Sequence, residues 1–214
     1  MSTFITIDSN DPDVKNTGSD GKHVSDFVSP NGLWTLGDFE TDFPPNLLKG
    51  RIAAIIRQPD EPAVIEPPEP LENPNVGDPE AIIEVNDPWE VDVRWELLGK
   101  AACFIRGTWR VKLYLESLGD DTLDREAKYP IDIAVDGRTD TYHAQFKLAP
   151  NLLKVEEDEG TPFQLTVAVI MMVNCGPEQK LVPGPVIAKV NLPLIQAFTE
   201  EVEAFTEEVP SPVS

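Results

Sequence analysis

Two short amphipathic stretches, 89–97 and 109–116, constrain the fold more than any other part of this 214-residue sequence. Apolar side chains fill every second position, and mostly charged side chains fill the alternate positions. The apolar positions are Trp89, Val91, Val93, Trp95 and Leu97 in the first stretch and Trp109, Val111, Leu113 and Leu115 in the second. This alternation has the period of a β-strand with one face buried. The sequence therefore predicts two neighbouring half-buried strands that share one apolar face.

Alternation continues further along the chain, at 129–135, 142–148, 163–173 and 186–192, and a short apolar stretch precedes the first strand at 81–85. The dipeptide at 136–137, Asp-Gly, predicts a hairpin, and the Pro-Gly-Pro sequence at 183–185 predicts a turn before the last strand. The stretch 163–173 is apolar at both sets of alternate positions, so it is predicted to be a central strand covered on both sides. The residues 99–107 are interpreted as a loop.

Seven short strands without a long helical pattern predict an all-β protein, an antiparallel two-sheet sandwich. The pattern resembles immunoglobulin-like and fibronectin-like domains in architecture only. The predicted core residues are Val91, Val93, Trp95, Trp109, Val111, Leu113, Ile133, Phe146, Leu165, Val167 and Val169.

Composition divides the chain into four parts. Residues 1–58 are interpreted as a mostly irregular N-terminal arm, whose segment 24–58 is apolar but interrupted by proline and glycine. Residues 59–80 are rich in proline and acidic side chains, which predicts an extended linker. The sandwich is predicted at 81–193, and an acidic helix and tail at 194–214.

Both ends of the chain carry apolar side chains that need a surface to cover them. In the arm these are Phe27, Trp34, Phe39 and Phe43; they are predicted to pack either on the chain's own sandwich or on another subunit. Near the C-terminal end Ile195, Phe198, Val202, Phe205 and Val209 recur at spacings of three and four, which predicts a helix between Pro193 and Pro210 with one apolar stripe. We expect this stripe to bind either the chain's own sandwich or a partner with a basic-rimmed groove.

The charge balance limits the possible partners. There are 38 acidic and 17 basic side chains, a formal net charge of −21, which repels nucleic acid and anionic membranes. The sequence begins without a secretory signal pattern and lacks an apolar run long enough to span a bilayer, so a cytoplasmic protein is expected. The two cysteines, Cys103 and Cys175, are expected to be free thiols rather than a disulfide.

Catalytic motifs are lacking in the sequence. His23 and His143 have no evident partner, and the usual nucleophile, phosphate-binding and zinc motifs do not occur. The expected function is therefore a non-enzymatic interaction or assembly subunit without a cofactor, whose sandwich is a platform and whose arms engage a protein partner or a neighbouring subunit.

Two other classes of function remain open at this point. The first is a calcium-dependent module that uses loop carboxylates at one end of the sandwich, because Ca²⁺ prefers clustered oxygen ligands. Its candidate ligands are Asp120, Asp121, Asp124, Asp136 and Asp140, or the acidic residues 156–159. The second is a carbohydrate-binding domain or a carboxylate-based hydrolase with Trp34 or Trp89 as a stacking surface, since its two acids would not stand out among 38.

Overall fold

The computed structural model describes residues 22–26, 34–58, 81–84, 86–117, 125–126, 130–135, 137, 140–150 and 161–198. Most of these residues are in β-strands, and two short 3-10 helices lie at Val24–Asp26 and Ala102–Phe104. The strands in chain order are β1 (Thr35–Leu36), β2 (Asp38–Thr41), β3 (Lys49–Arg57), β4 (Ala81–Glu84), β5 (Trp89–Leu98), β6 (Gly107–Ser117), β7 (Arg125–Glu126), β8 (Ile131–Val135), β9 (Thr141–Leu148), β10 (Thr161–Cys175) and β11 (Lys180–Phe198).

These strands form two sheets that enclose one apolar core. The smaller sheet has the strand order β1-β3-β5-β9. The larger sheet has the order β2-β11-β10-β6, and β7 and β8 both pair with the free side of β6. The short strand β4 runs parallel to the end of β11, whereas the other pairings among the described strands are antiparallel. The predicted all-β sandwich of two sheets is therefore confirmed for this part of the chain.

Burial follows the alternation of the sequence. Each of the side chains predicted for the core is buried, from Val91 in β5 to Val169 in β10. Strand β10 is central, as predicted, because it pairs with β11 on one side and β6 on the other. Its outer side is covered only in part, since Ala168 and Ile170 are half-buried there.

Strands β5 and β6, which contain the two amphipathic stretches, do not lie side by side in one sheet. The prediction that they share one apolar face is therefore corrected. They belong to opposite sheets, and their apolar sides meet across the core. The contact is aromatic: the rings of Trp95 and Trp109 are 6.1 Å apart and nearly perpendicular, and Tyr142 from β9 stacks on Trp95 at 5.6 Å. Trp109 also meets Tyr142 edge to face at 5.7 Å. One ring from the larger sheet is thus packed against two rings of the smaller sheet.

Residues 35–57 are part of the sandwich, which corrects the prediction of a mostly irregular arm and of a sandwich confined to 81–193. β3 lies inside the smaller sheet between β1 and β5. The prolines do not disrupt this region, because Pro44 starts the turn that joins β2 to β3: its carbonyl accepts hydrogen bonds from Leu47 N at 2.8 Å and Leu48 N at 3.1 Å. Gly37 lets the chain pass from one sheet to the other, since a Cβ there would overlap the backbone of Lys189.

Both predicted turns differ from the structure. The Asp-Gly dipeptide at 136–137 does not close a hairpin, because β8 pairs with β6 and β9 pairs with β5 in the opposite sheet. The Pro-Gly-Pro sequence at 183–185 lies within β11, where the pairing register with β10 shifts, so it forms an irregularity in a continuous strand. The turn between β10 and β11 is instead at 176–179, with positive φ at Gly176 and Gln179.

The predicted helix at 194–209 is wrong for its first residues. Leu194–Phe198 continue β11; residues 194–197 pair with the start of β10 on one side, and β4 pairs with Ile195–Phe198 on the other. Backbone hydrogen bonds to two neighbouring strands outweigh a local helical spacing, because propensity is weak compared with tertiary pairing. The rest of the predicted helix, and the linker over most of 59–80, lie outside the described residues. Within the part of the chain described above, neither helix has the length and apolar character needed to cross a membrane.

Replacing Trp109 with alanine tests the aromatic contact between the sheets. The side chain is fully buried, so Trp109→Ala removes its contacts with Trp95 and Tyr142 and leaves a cavity. We expect a loss of about 3–5 kcal/mol in the free energy of unfolding, measured by urea denaturation. The control Leu36→Ala, at a side chain that is 58% exposed, is expected to change stability by less than about 0.5 kcal/mol. Equal effects of the two substitutions would contradict the buried contact of Trp109 between the sheets.

Candidate functional site

A row of charged side chains runs along the outer face of the smaller sheet. Because apolar residues of β5 point into the core, the alternate residues Glu90, Asp92, Arg94 and Glu96 point outward. Two of these are nevertheless buried: Asp92 is 3% exposed and Glu96 is 1% exposed. Charged groups at such burial need paired partners, because their desolvation is costly. The neighbouring strands and the N-terminal segment supply those partners.

Arg57, the last residue of β3, bridges two of the carboxylates. Its Nε lies 3.1 Å from Glu90 Oε2, and its Nη2 lies 2.5 Å from Asp92 Oδ2. On the other side of β5, Gln145 Nε2 donates a hydrogen bond to Glu90 Oε2 at 2.6 Å. His143 Nε2 lies 3.1 Å from Asp92 Oδ1. These contacts follow from the register, which places Arg57 opposite Glu90 and Gln145 opposite Asp92.

Glu96 forms a second group with residues from β3 and the N-terminal segment. His23 Nδ1 is 2.8 Å from Glu96 Oε2, and Arg51 Nη1 is 3.5 Å from Glu96 Oε1. The 3-10 helix that follows His23 lies against β3 and β5, and its Val24 is only 2% exposed. The segment 22–26 is therefore attached to the sheet by one ion pair and one apolar side chain.

The ion pair changes the acidity of His23. The hydrogen bond to Glu96, followed by the charge of the same carboxylate, raises the pKa of His23 above its usual 6.5. Burial acts in the opposite direction, and the charges of Asp140 and Asp26 contribute smaller increases. The sequence-based view that neither histidine has a partner is wrong, because His23 and His143 each contact a carboxylate that is buried on this face.

This charged face has the composition of a carboxylate active site but a different arrangement. Residues two apart on a strand are about 6.5–7 Å apart, a spacing that a pair such as Glu90 and Asp92 could use for acid–base chemistry. Here, however, one guanidinium, that of Arg57, contacts both carboxylates. The amide of Gln145 donates to the same Glu90 oxygen as Arg57, and His143 contacts the other oxygen of Asp92. The contacts favour a network that holds β3, β5 and β9 together.

A second candidate site lies where four connections meet at one end of the sandwich, which we call the loop end. These connections join β2 to β3, β5 to β6, β8 to β9 and β10 to β11. The β5–β6 loop is tied to the β2–β3 turn, since Ala101 N donates to Leu47 O at 2.9 Å. It is also next to the β8–β9 connection, where a side chain at Gly137 would overlap Arg106. Arg106 Nη1 in turn donates to Cys103 O at 2.8 Å.

Exposed apolar and basic side chains share this end. Among the described residues, Phe104 in the β5–β6 loop is the most exposed large apolar side chain, at 78%. Leu47 in the neighbouring turn is 40% exposed and Leu181 at the start of β11 is 39% exposed. Among the described residues, the exposed basic side chains at or directly beside these connections are Lys49, Lys100, Arg106 and Lys180. We call these seven residues the loop-end surface.

The residues that the sequence suggested for partner binding are distributed differently. Trp34, Phe39 and Phe43 are half-buried on the chain's own sandwich, and Arg94 lies 6.0 Å from the centre of the Trp34 ring. Ile195 is 1% exposed and belongs to the core. The side chain of Phe198 and the residues Phe27, Val202 and Phe205 lie outside the described part of the chain.

Most of the metal ligands suggested by the sequence also lie outside the described residues. Asp140 is exposed and lies near His23, whereas Asp120, Asp121, Asp124 and Asp136 and the acidic residues 156–159 are outside the described residues. Among the residues that the structure does describe, histidine, cysteine and acidic side chains do not form a group of three suited to a metal ion. Cys103 and Cys175 are both free thiols, and both are exposed.

Comparison with known proteins supplied no relative: no family model matches the chain, and a search of curated proteins returned no match.

Sequence reasoning missed both the buried ion pairs and the loop-end surface. The pairing of His143 with Asp92 depends on the register between β9 and β5, which the alternation alone does not determine. The loop-end surface had a local signal, because the loop at 99–107 holds Phe104 between Lys100 and Arg106 without an acidic residue. An aromatic side chain in a short basic loop of an acidic protein indicates an exposed side chain that is available to a binding partner.

The attachment of the N-terminal segment is expected to depend on pH through His23. Because the folded-state pKa is raised, the stabilisation from this ion pair is fully present below pH 6.5 and is lost as pH rises through the folded value. We therefore expect His23→Gln to lower the melting temperature relative to wild type in mildly acidic buffer, and the gap to narrow in mildly alkaline buffer. Thermal melts of both proteins across this range measure the gap. A gap that widens as pH rises would contradict the ion pair.

Proposed function

We propose that the protein is a non-enzymatic interaction or assembly subunit whose sandwich serves as a platform and whose loop-end surface binds a protein partner. The observation that carries this proposal is Phe104, which is 78% exposed in a loop that also presents Lys100 and Arg106. Exposed aromatic side chains flanked by polar groups are typical of protein–protein contacts, where Trp, Tyr, Phe and Arg are enriched.

The loop that presents Phe104 is held in place by short-range hydrogen bonds. Phe104 N donates to Ala101 O at 3.0 Å, and Ile105 N donates to Ala102 O at 3.2 Å. The buried side chain of Ile105 anchors the loop to the core. A preformed loop loses little conformational entropy on binding, which favours its use as a contact.

The charged residues of the smaller sheet support the same proposal, because their contacts argue against the hydrolase alternative. Glu90, Asp92 and Glu96 each contact a cationic or histidine side chain of this chain. Carboxylates used in this way are already engaged by side chains of this chain, and removing one of those partners would leave a buried unpaired charge. This arrangement favours an interaction subunit over a carboxylate-based hydrolase.

The position of the loop-end surface at one end of a sandwich also supports the proposal. In immunoglobulin-like and fibronectin-like sandwiches, which we propose as the nearest architectural class, the loops at one end of the sheets are common binding elements. The proposed partner is a protein, because a net charge of −21 disfavours nucleic acid and anionic membranes. A cytoplasmic location is part of the same proposal.

A single substitution tests the role of the loop-end surface. Phe104→Asp is expected to weaken the association of the full chain with its partner, or with itself, by about 30-fold, the effect of losing roughly 2 kcal/mol at an interface centre. Its melting temperature is expected to stay close to that of wild type, because the side chain makes few contacts in the folded chain. Association is measured by analytical ultracentrifugation and by pull-down with tagged protein.

The matched control is Leu36→Asp, which places the same charge at a side chain that is 58% exposed but lies on β1, away from the loop end. It is expected to leave association unchanged. If both variants associate as wild type does, the loop-end surface is not the binding site. A calcium-dependent rise in melting temperature, absent with chelator, would instead support the calcium-binding alternative.

A further inference from the structure

We infer that the partner of the loop-end surface is the acidic segment 199–214 of a second copy of this chain, so that copies associate head to tail. This inference rests on the proposed function and adds the identity of the partner. It is carried by the distribution of charge between the two ends of the sandwich, by the length of strand β11 and by the composition of the segment.

Charge is divided unequally between the two ends. The four connections at the loop end are 42–48, 99–106, 136–140 and 176–179; together they hold 3 basic and 4 acidic residues. The N-terminal residues 1–26, whose described part 22–26 lies beside Glu96 and near Asp140 at this end, add 2 basic and 5 acidic residues. The opposite end is where strands β3, β6 and β11 finish and where β5 and β10 begin. The segments that leave or join the sheets there are 58–80, 85–88, 118–124, 149–160 and 199–214; together they hold 1 basic and 20 acidic residues.

The segments attached to the opposite end therefore carry a net charge of −19 in sequence, against −4 for those attached to the loop end, out of a total of −21. Lys49 and Lys180, at the first positions of β3 and β11, add exposed basic groups beside the loop-end connections. An acidic segment meets less repulsion at this end than at the opposite end, and Lys100 and Arg106 offer it direct partners.

The segment 199–214 has the composition that this surface would bind. It holds five glutamates and no basic residue, and its apolar residues include Val202, Phe205 and Val209. Contact between these side chains and Phe104 and Leu47 would cover apolar surface on both partners. Ion pairs with the surrounding basic residues would orient the contact.

Chain length prevents this contact from forming within one copy. β11 runs from Lys180 at the loop end to Phe198 at the opposite end, about 50–60 Å for a strand of that length. The stretch from Phe198 to Glu208, the last glutamate, spans at most about 36 Å even when fully extended. The glutamates therefore reach a loop-end surface only on another molecule.

Contact between opposite ends of two copies has a defined consequence for assembly. The two surfaces that meet are different, so each copy keeps one unused surface of each kind, and association continues beyond a dimer unless a ring closes. A symmetric dimer, in which the same surface meets itself, would stop at two copies. The size distribution distinguishes these arrangements.

Complementation between two variants of the full chain tests the arrangement. Phe104→Asp removes the loop-end contact, and Phe205→Asp removes the contact of the acidic segment. Analytical ultracentrifugation is expected to show association of wild type that grows with concentration beyond the dimer, and at least tenfold weaker association of each variant alone. An equimolar mixture of the two variants is expected to form a 1:1 heterodimer that does not grow further, because one functional surface of each kind remains.

A charge variant separates specific contact from general repulsion. Replacing the five glutamates Glu200, Glu201, Glu203, Glu207 and Glu208 with glutamine reduces the net negative charge, so general repulsion predicts stronger association. Specific binding to Lys100 and Arg106 predicts weaker association, by at least tenfold. Stronger association of this variant would overturn the inference.

Two further outcomes separate this inference from the proposed function. If wild type stays monomeric while a purified protein partner binds it and Phe104→Asp abolishes that binding, the inference fails and the proposed function stands. If wild type associates but neither Phe104→Asp nor Phe205→Asp has an effect, both fail. Homodimers of Phe104→Asp chains, which keep no working loop-end surface, would overturn the head-to-tail arrangement.

Discussion

The packing of Trp109 against Trp95 and Tyr142 is the interaction on which the rest of the fold depends. It joins β6 of the larger sheet to β5 and β9 of the smaller sheet, and all three rings belong to the core, toward its loop end. The side of β5 that faces these rings is its apolar side, so the alternate charged residues of β5 point outward. The buried carboxylates Asp92 and Glu96 are a consequence of that orientation.

The sequence predicted the core well because burial on one face of a strand produces a period of two that is visible without a structure. It predicted strand pairing poorly. Alternation shows that β5 and β6 are amphipathic, but it does not show whether two such strands lie side by side or face each other, and here they face each other. The hairpin predicted from the Asp-Gly dipeptide at 136–137 was wrong for the same reason. The same residue types occur in connections between strands of two sheets and between neighbouring strands of one sheet.

The apolar segment between Trp34 and Gln58 shows a second limit of sequence reasoning. Its prolines and glycines suggested an irregular arm, whereas they mark the turn before β3 and the crossing between sheets at Gly37. Of the candidate site, Phe104 and its basic neighbours are readable from the sequence as an aromatic residue in a basic loop. The pairing of His23 with Glu96 is not, because it joins residues 73 positions apart.

The central claim is that the loop-end surface of one copy binds segment 199–214 of another, and a zero-length cross-linking experiment tests it most directly. Equal amounts of unlabelled and 15N-labelled chains are mixed, treated with a carbodiimide that joins amines to carboxylates in contact, and analysed by mass spectrometry. The account predicts links between Lys100 and glutamates of 199–214 that join labelled to unlabelled chains. Links of this kind confined to single chains, or Lys100 joined only to other acidic residues, would contradict it.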